Sequence, residues 1–272
     1  MQALNLTRTL AAAAITFLTS VSGYAAPTTL IYINSSSGAL YSYDASLSYA
    51  ESLVNASTGA FSIASGPLAN TLYLQSTGGS LSTYNLISNV QTSVGGSVPG
   101  NALGEGRDGS LYAGSGTGLY SVNPLNGSSV FVGNGTYGYA GDIAVDPTNL
   151  NAMYGAVTTG LGVTLALIDK STGAQSVVGG FGVAGDIYGL GFSLDGTLYA
   201  AGPGGGSTGS IYTINKTTGT ATKVRSLTYQ PNDMATQPFE RDEPNPIPEP
   251  ATVALLGMAL AGMGLALRRR KH

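Results

Sequence analysis

Short apolar runs, separated by turns rich in Gly, Ser and Asn, repeat along the whole central part of the chain. The clearest repeated feature is an apolar residue followed by Tyr, and these tyrosines stand 39 to 45 residues apart. The five marker tyrosines are Tyr32, Tyr73, Tyr112, Tyr154 and Tyr199. A period near 40 residues is typical of propeller repeats, in which each repeat is one small sheet.

Each repeat contains the pattern of four short strands. After the marker strand comes a second apolar run that ends in Asp or Asn, at Asp44, Asn85, Asn123, Asp169 and Asn215. In three repeats a Gly follows four residues later, which favours a tight hairpin turn because Asx side chains bond the turn backbone. A third run ends in Val-Gly in three repeats, and a fourth element precedes each of the last four markers, at residues 61–64, 102–105, 143–146 and 187–192.

The two ends of the repeat region complement each other. The first repeat lacks its leading strand, and an extra segment after the last repeat, residues 232–236, is similar to residues 141–145. We therefore predict an all-β fold, a propeller of about five four-stranded antiparallel blades, in which this segment completes the first blade. A six- or seven-bladed ring, a β-solenoid and a β-sandwich are the alternatives.

The composition excludes several functional classes. Residues 26–247 contain six basic and 13 acidic residues, a net charge near −7, which argues against a nucleic-acid partner. The chain has no Cys, and its one His is His272, so a Ser-His-Asp or Cys-His catalytic device and a His-based metal site in the central domain are excluded.

Both ends of the chain read as targeting segments. Arg8 precedes an apolar run that ends in Gly23-Tyr24-Ala25, which predicts a signal peptide over residues 1–25, cleaved after Ala25. The domain would cover residues 26–237, followed by a Pro-rich linker at 238–250. Residues 251–267 form an apolar run of 17 residues, just long enough for a membrane helix, and a basic tail at 268–272 would remain cytoplasmic.

The order of features at the carboxyl end resembles that of a known sorting signal. Pro248, Glu249 and Pro250 precede the apolar run, which stops at Arg268, Arg269 and Arg270. This arrangement resembles the tail of bacterial PEP-CTERM proteins. The resemblance implies export from a Gram-negative bacterium that often makes exopolysaccharide. It also implies a membrane-anchored precursor and processing by a membrane protease of the exosortase type.

Two turns carry a further likeness. Asp169-Lys170-Ser171-Thr172-Gly173 and the equivalent segment 215–219 resemble turns of YVTN-type and quinoprotein-type propellers. Quinoprotein repeats usually place a Trp shortly after this turn, and the chain has no Trp. The likeness thus favours the fold, and no cofactor is expected from it.

Three carboxylates are the best candidates for a site. Asp142, Asp186 and Asp233 each precede an apolar residue at the predicted start of an innermost strand, so they would ring one mouth of the central channel. Oxygen ligands there would suit Ca²⁺, or two carboxylates could act as an acid and a base. The competing interpretation is that each Asp only bonds backbone N–H groups of a turn. The marker tyrosines could likewise form a sugar-stacking surface, but packing between blades is the stronger expectation.

The sequence leaves three hypotheses about function. The first is a non-catalytic binding or structural propeller displayed at the cell surface or in the biofilm matrix, where it would contact exopolysaccharide or another surface protein. The second is a secreted enzyme that acts on sugars or lactones through carboxylates. The third, ice binding, needs regular Thr-x-Thr arrays, of which the chain shows little.

Overall fold

A computed structural model of the chain describes residues 29–66, 68–202 and 208–236. These residues form 20 β-strands, β1 to β20, and one short 3-10 helix, Ala45–Leu47. The strands build five separate antiparallel sheets of four strands each. The predicted signal peptide, linker, membrane helix and basic tail lie outside the described residues. Among the described residues, no helix is long and apolar enough to cross a membrane.

Each sheet is one blade. Blade 1 contains β20 (Pro231–Thr236), β1 (Leu30–Ser35), β2 (Leu40–Asp44) and β3 (Ala50–Asn55), from the inside outward. Blade 2 contains β4 (Ser62–Ser65), β5 (Thr71–Gln75), β6 (Leu81–Asn85) and β7 (Gln91–Gly95), and blade 3 contains β8 (Ala102–Glu105), β9 (Leu111–Ser115), β10 (Gly118–Val122) and β11 (Ser129–Asn134). Blade 4 contains β12 (Gly138–Val145), β13 (Met153–Thr159), β14 (Gly162–Ile168) and β15 (Gln175–Gly180), and blade 5 contains β16 (Gly189–Phe192), β17 (Leu198–Gly202), β18 (Ser210–Ile214) and β19 (Ala221–Ser226).

The innermost strands form a closed ring. Strand β20 contacts β4, β4 contacts β8, β8 contacts β12, β12 contacts β16, and β16 contacts β20 again. Strands β4, β8 and β16 are buried at every residue, whereas most residues of the outermost strand β3 are exposed. The five-bladed propeller predicted from the repeat is therefore confirmed.

Apolar packing joins the blades. Five apolar clusters are buried, and each lies between two neighbouring blades. Every marker tyrosine lies in, or against, the cluster that its blade shares with the next one; Tyr32, for example, packs with Ile63 and Leu72 of blade 2. This placement confirms packing between blades as the role of the repeated apolar-Tyr pair. Burial raises the pKa of Tyr32 to about 12, as expected for a hydroxyl removed from water.

The repeated turns also connect the blades. Asp169 accepts the backbone N–H of Ser171 at 2.8 Å, and Gly173 closes the turn with a φ of 75°, which disfavours any residue with a side chain. An ideal Cβ on Gly173 would lie only 2.7 Å from the carbonyl oxygen of Gly133 in blade 3. The turn of one blade thus packs tightly on the Val-Gly end of the blade before it, which explains why both features recur together.

The carboxyl-terminal strand closes the ring. Strand β20 pairs with β1 in antiparallel register, with Ile31 opposite Thr236 and Ile33 opposite Met234. Met234, Ala235 and Thr236 are buried. Residues from both ends of the described chain thus form blade 1, as the sequence predicted.

Removal of β20 should destabilise the domain. Truncation after Leu227 leaves β1 without its partner and exposes apolar surface, and burial of one side chain such as Met234 contributes about 1.5–3 kcal/mol. We expect the free energy of unfolding, measured in urea, to fall by at least about 3 kcal/mol. Truncation after Thr236, which keeps β20, is the matched control. Equal stabilities of the two truncated proteins would refute closure by β20.

Candidate functional site

Five residues occupy equivalent places on the innermost strands, near one mouth of the channel. We call them the axial positions: Ser62, Ala102, Asp142, Gly189 and Asp233. In the ladders of four blades the axial residue lies opposite the residue two places after the marker tyrosine, as Asp233 lies opposite Asn34 and Gly189 opposite Ala201. Two of the five positions carry a carboxylate, and Asp142 and Asp233 are brought together there.

We call these two residues the carboxylate pair. Their side-chain oxygens accept backbone hydrogen bonds from all five blades. Asp142 Oδ1 accepts the backbone N–H groups of Ile143 at 2.8 Å and Leu103 at 3.0 Å, and its Oδ2 accepts that of Leu190 at 3.2 Å. Asp233 accepts the N–H groups of Met234 at 2.9 Å and Ile63 at 2.8 Å. Each blade therefore contributes one donor, the N–H group of the residue directly after its axial position. We call these five N–H groups the axial amides. An innermost strand has no further strand beside it, so these donors need another acceptor.

The carboxylate pair is buried, and burial favours the protonated form of both carboxyl groups. Each residue is 1% exposed, and burial raises the pKa of both carboxyl groups well above the usual range of Asp. The negative charge of Asp233 raises the pKa of Asp142 further. The five N–H donors lower the pKa of the two carboxyl groups, but by less than burial raises it. Two charged carboxylates at this depth would repel each other, so ionisation of one side chain depends on the charge of the other. The pair therefore titrates as a unit.

Asp186 does not join this pair. It was expected at the same repeat position, but it lies three residues before β16 and is exposed. The axial position of blade 5 is Gly189, where an ideal Cβ would lie 2.4 Å from the backbone nitrogen of Met234. A third carboxylate would not fit there because the inner strands approach each other too closely.

The metal hypothesis now depends on two carboxylates. Among residues 29–66, 68–202 and 208–236, no three His, Cys, Asp or Glu residues are grouped so that they could hold a metal ion. The oxygens of Asp142 and Asp233 are already occupied by N–H donors. Binding of Ca²⁺ stays a prediction from the sequence. The competing interpretation, that each Asp bonds backbone N–H groups, describes Asp142 and Asp233. The donors, however, belong to strands rather than to turns.

A ring of five further residues surrounds the mouth above the carboxylate pair. Each directly precedes an axial residue, and we call them the mouth residues: Phe61, Asn101, Gly141, Tyr188 and Asn232. Together with Ala140 they line a cavity of about 110 Å³. On the other side of the pair the channel narrows to a cavity of about 20 Å³, which has room for about one water. Sequence reasoning missed the mouth residues, although their position before each axial residue could have indicated them.

Comparison with known proteins identifies the tail and the fold. Residues 246–271 match the PEP-CTERM protein-sorting motif, which confirms the resemblance of the tail. No curated protein matches the sequence. The fold is similar to a chain in the "Crystal structure of Nidogen/Laminin Complex", with a TM-score of 0.52 and 9% identity over 77% of this chain and 98% of that chain.

A second solved structure is more distant. It is the Kuenenia stuttgartiensis hydrazine synthase, with a TM-score of 0.42 and 21% identity over 62% of this chain and 49% of that chain. At this distance it supports no argument about function. The nidogen/laminin likeness, at 9% identity, shows the fold alone.

Loss of the Asp142 side chain should destabilise the whole ring. Asp142→Ala leaves the buried N–H groups of Leu103, Ile143 and Leu190 without an acceptor, and each such loss costs about 1–3 kcal/mol. We expect a loss of at least about 3 kcal/mol in the free energy of unfolding, measured in urea. Asp186→Ala, the exposed control, should change it by less than about 0.5 kcal/mol. Similar values for both variants would show that the pair does not hold the blades.

The carboxylate pair should also make stability fall as the pH rises. The folded pKa is raised above the unfolded value of about 3.9, so between these values the folded state holds more protons than the unfolded state. This contribution is fully present below about pH 4 and is lost as the pH rises through the folded pKa. Urea unfolding at several pH values should show that the free energy of unfolding of the wild type falls as the pH rises. The fall should be smaller in Asp142→Asn, because only one carboxyl group of the pair can then become charged. An unchanged slope in the variant would contradict a raised pKa of the carboxylate pair.

The acid side of the stability profile has a different origin. Burial raises the pKa of Asp146, but hydrogen bonds from Lys216, at 2.6 Å, and from Thr148 outweigh it and lower the pKa. Its contribution is present above the unfolded pKa and is lost only as the pH falls below about 4. It therefore does not mask the slope of the carboxylate pair.

Proposed function

We propose that the protein is a non-catalytic binding or structural propeller that acts at the cell surface or in the extracellular matrix. The sorting motif implies that the chain is exported, that its precursor is anchored in a membrane, and that the membrane protein exosortase processes it. The propeller is the part that then remains available to partners outside the cell. Its negative charge argues against nucleic acid as the partner.

The state of the carboxylate pair is the observation that carries the non-catalytic part of the proposal. A general acid or base must come within about 2.6–3.2 Å of the proton that it transfers. Asp142 and Asp233 are 1% exposed, and their oxygens accept five backbone N–H groups. A substrate could reach them only if these bonds were broken and the inner strands moved apart.

The raised pKa of the pair is the one feature that favours an enzyme. A carboxyl group that stays protonated near neutral pH can serve as a general acid, which an enzyme acting on sugars or lactones would need. Burial with five amide donors gives the same raised pKa without any catalytic role. We therefore retain the carboxylate-dependent enzyme as the second hypothesis and favour binding or structure.

Processing of the tail tests the export part of the proposal. Replacement of Arg268, Arg269 and Arg270 by Ser removes the cations that hold the tail on the cytoplasmic side, so we expect the precursor to keep its tail. Mass spectrometry of the protein from a strain that carries an exosortase measures the carboxyl terminus. The control variant, Lys223→Ser with Arg225→Ser, changes basic residues of β19 instead and should be processed normally. Secreted wild-type protein with residues 251–272 intact would refute processing.

A further inference from the structure

The mouth residues form a cavity whose chemistry differs from that of the surrounding surface. Two of them are aromatic, Phe61 and Tyr188, two are carboxamides, Asn101 and Asn232, and Gly141 has no side chain. All four side chains are half-buried, and none carries a charge. The cavity is thus a small uncharged depression with aromatic and amide walls, placed where five blades converge.

Several polar groups of this cavity have no protein partner within the described residues. The side-chain amide of Asn101 and the hydroxyl of Tyr188 make no hydrogen bond there. Asn232 donates through Nδ2 to the carbonyl oxygen of Phe61 at 2.8 Å, so its amide is held in place while its Oδ1 accepts no bond from the protein. The backbone of Phe61 is also fixed by Asn34, whose Nδ2 donates to the same carbonyl at 3.1 Å. Aromatic walls beside a few unused donors and acceptors are typical of a site for a small polar ligand.

The surrounding charges decide which ring-shaped ligand suits the site. The domain as a whole is acidic, with 13 acidic and six basic residues over 26–247. An anionic ligand would be repelled, and the mouth residues include no cation to bind it. A neutral sugar fits: its C–H face packs on an aromatic ring, and its hydroxyls bond to amides and to a phenol.

We propose that the mouth residues bind one neutral sugar ring. This inference rests on the proposed binding function and names the ligand class for that function. The cavity, at about 110 Å³, is smaller than the roughly 300 Å³ of the smallest typical ligand pockets, so it receives a single ring and leaves the rest of a glycan in solvent. The ring comes either from a free monosaccharide or from the end or branch of a polysaccharide.

A second groove is a weaker candidate. It has a volume of about 360 Å³ and lies along blade 2, lined by Gly, Ala, Ser, Gln and two Leu residues, without an aromatic ring. Its longest polar side chain is already bonded to protein: Gln91 donates to Ser82 at 2.8 Å, and Ser82 donates to the carbonyl of Leu74 at 3.3 Å. The mouth cavity therefore offers more unused binding groups.

Titration calorimetry with the exported protein tests the inference. The probes are glucose, galactose and mannose as free sugars, dextran and galactomannan as neutral polysaccharides, and polygalacturonate as the anionic comparison. We expect binding of at least one neutral probe and none of polygalacturonate. If a free sugar binds as tightly as each end or branch of its polymer, the single ring alone is recognised. If the polymer binds and the free sugar does not, the polysaccharide is the source of the ring.

Matched variants locate the site. Tyr188→Ala removes an aromatic wall and should weaken binding about tenfold, and Asn101→Leu, which keeps the volume but removes the amide, should weaken it about fivefold. Asn101 has no side-chain partner in the described protein, so Asn101→Leu should keep the wild-type melting temperature and report on binding alone. Phe131→Ala, which removes an exposed ring on the outer strand β11, is the control and should bind like the wild type.

The results separate this inference from the function on which it rests. Absence of binding to every neutral probe, preference for polygalacturonate, or equal binding by the wild type and both mouth variants would overturn the sugar site. If the protein is nevertheless exported and its tail is processed, the proposed function stands and only its ligand class is wrong. Failure of processing contradicts the export part of the proposed function whether or not sugar binds.

Discussion

The unpaired inner edge of each blade is the constraint on which this structure depends. A closed ring of five sheets directs one backbone N–H of each innermost strand towards the axis, where no further strand can accept it. Asp142 and Asp233 supply the acceptors for all five. Two negative charges at this depth would repel each other, and burial raises the pKa of both carboxyl groups. Gly189, which has no side chain, allows the inner strands of blades 5 and 1 to approach closely, since an ideal Cβ there would lie 2.4 Å from the backbone nitrogen of Met234.

This arrangement also limits where the protein can bind a ligand. The carboxylate pair closes the channel from one side, and the residues below it leave a cavity of only about 20 Å³. The mouth above the pair remains open, and five blades each contribute one residue to it. The proposed binding there would need no movement of the blades, because the carbonyl oxygen of Phe61 and the amide of Asn232 are already held by hydrogen bonds. A preformed site of this kind is consistent with the proposed binding function, because little order has to be created when a ligand binds.

Much of the fold could be predicted because the local chemistry repeats. The spacing of the marker tyrosines gave the blade count, and the likeness of residues 232–236 to 141–145, both containing an axial Asp, gave the closing strand. The carboxylate pair could not be read in the same way. Its bonds join Asp142 to amides 39 and 48 residues away, and no pattern within one strand reveals them. Asp186-Ile187 resembles Asp142-Ile143 locally, but the ladder with β17 makes Gly189 the axial residue of blade 5.

Hydrogen exchange at the axial amides tests the central claim, that one carboxylate pair joins five blades. The measurement follows the N–H groups of Ile63, Leu103, Ile143, Leu190 and Met234 in the native wild-type protein by NMR. If the pair holds the ring, all five exchange with the same free energy, equal to that of global unfolding, because no blade can release its amide alone. Clearly different values for the five amides, with some exchanging by local opening of a single blade, would contradict the account.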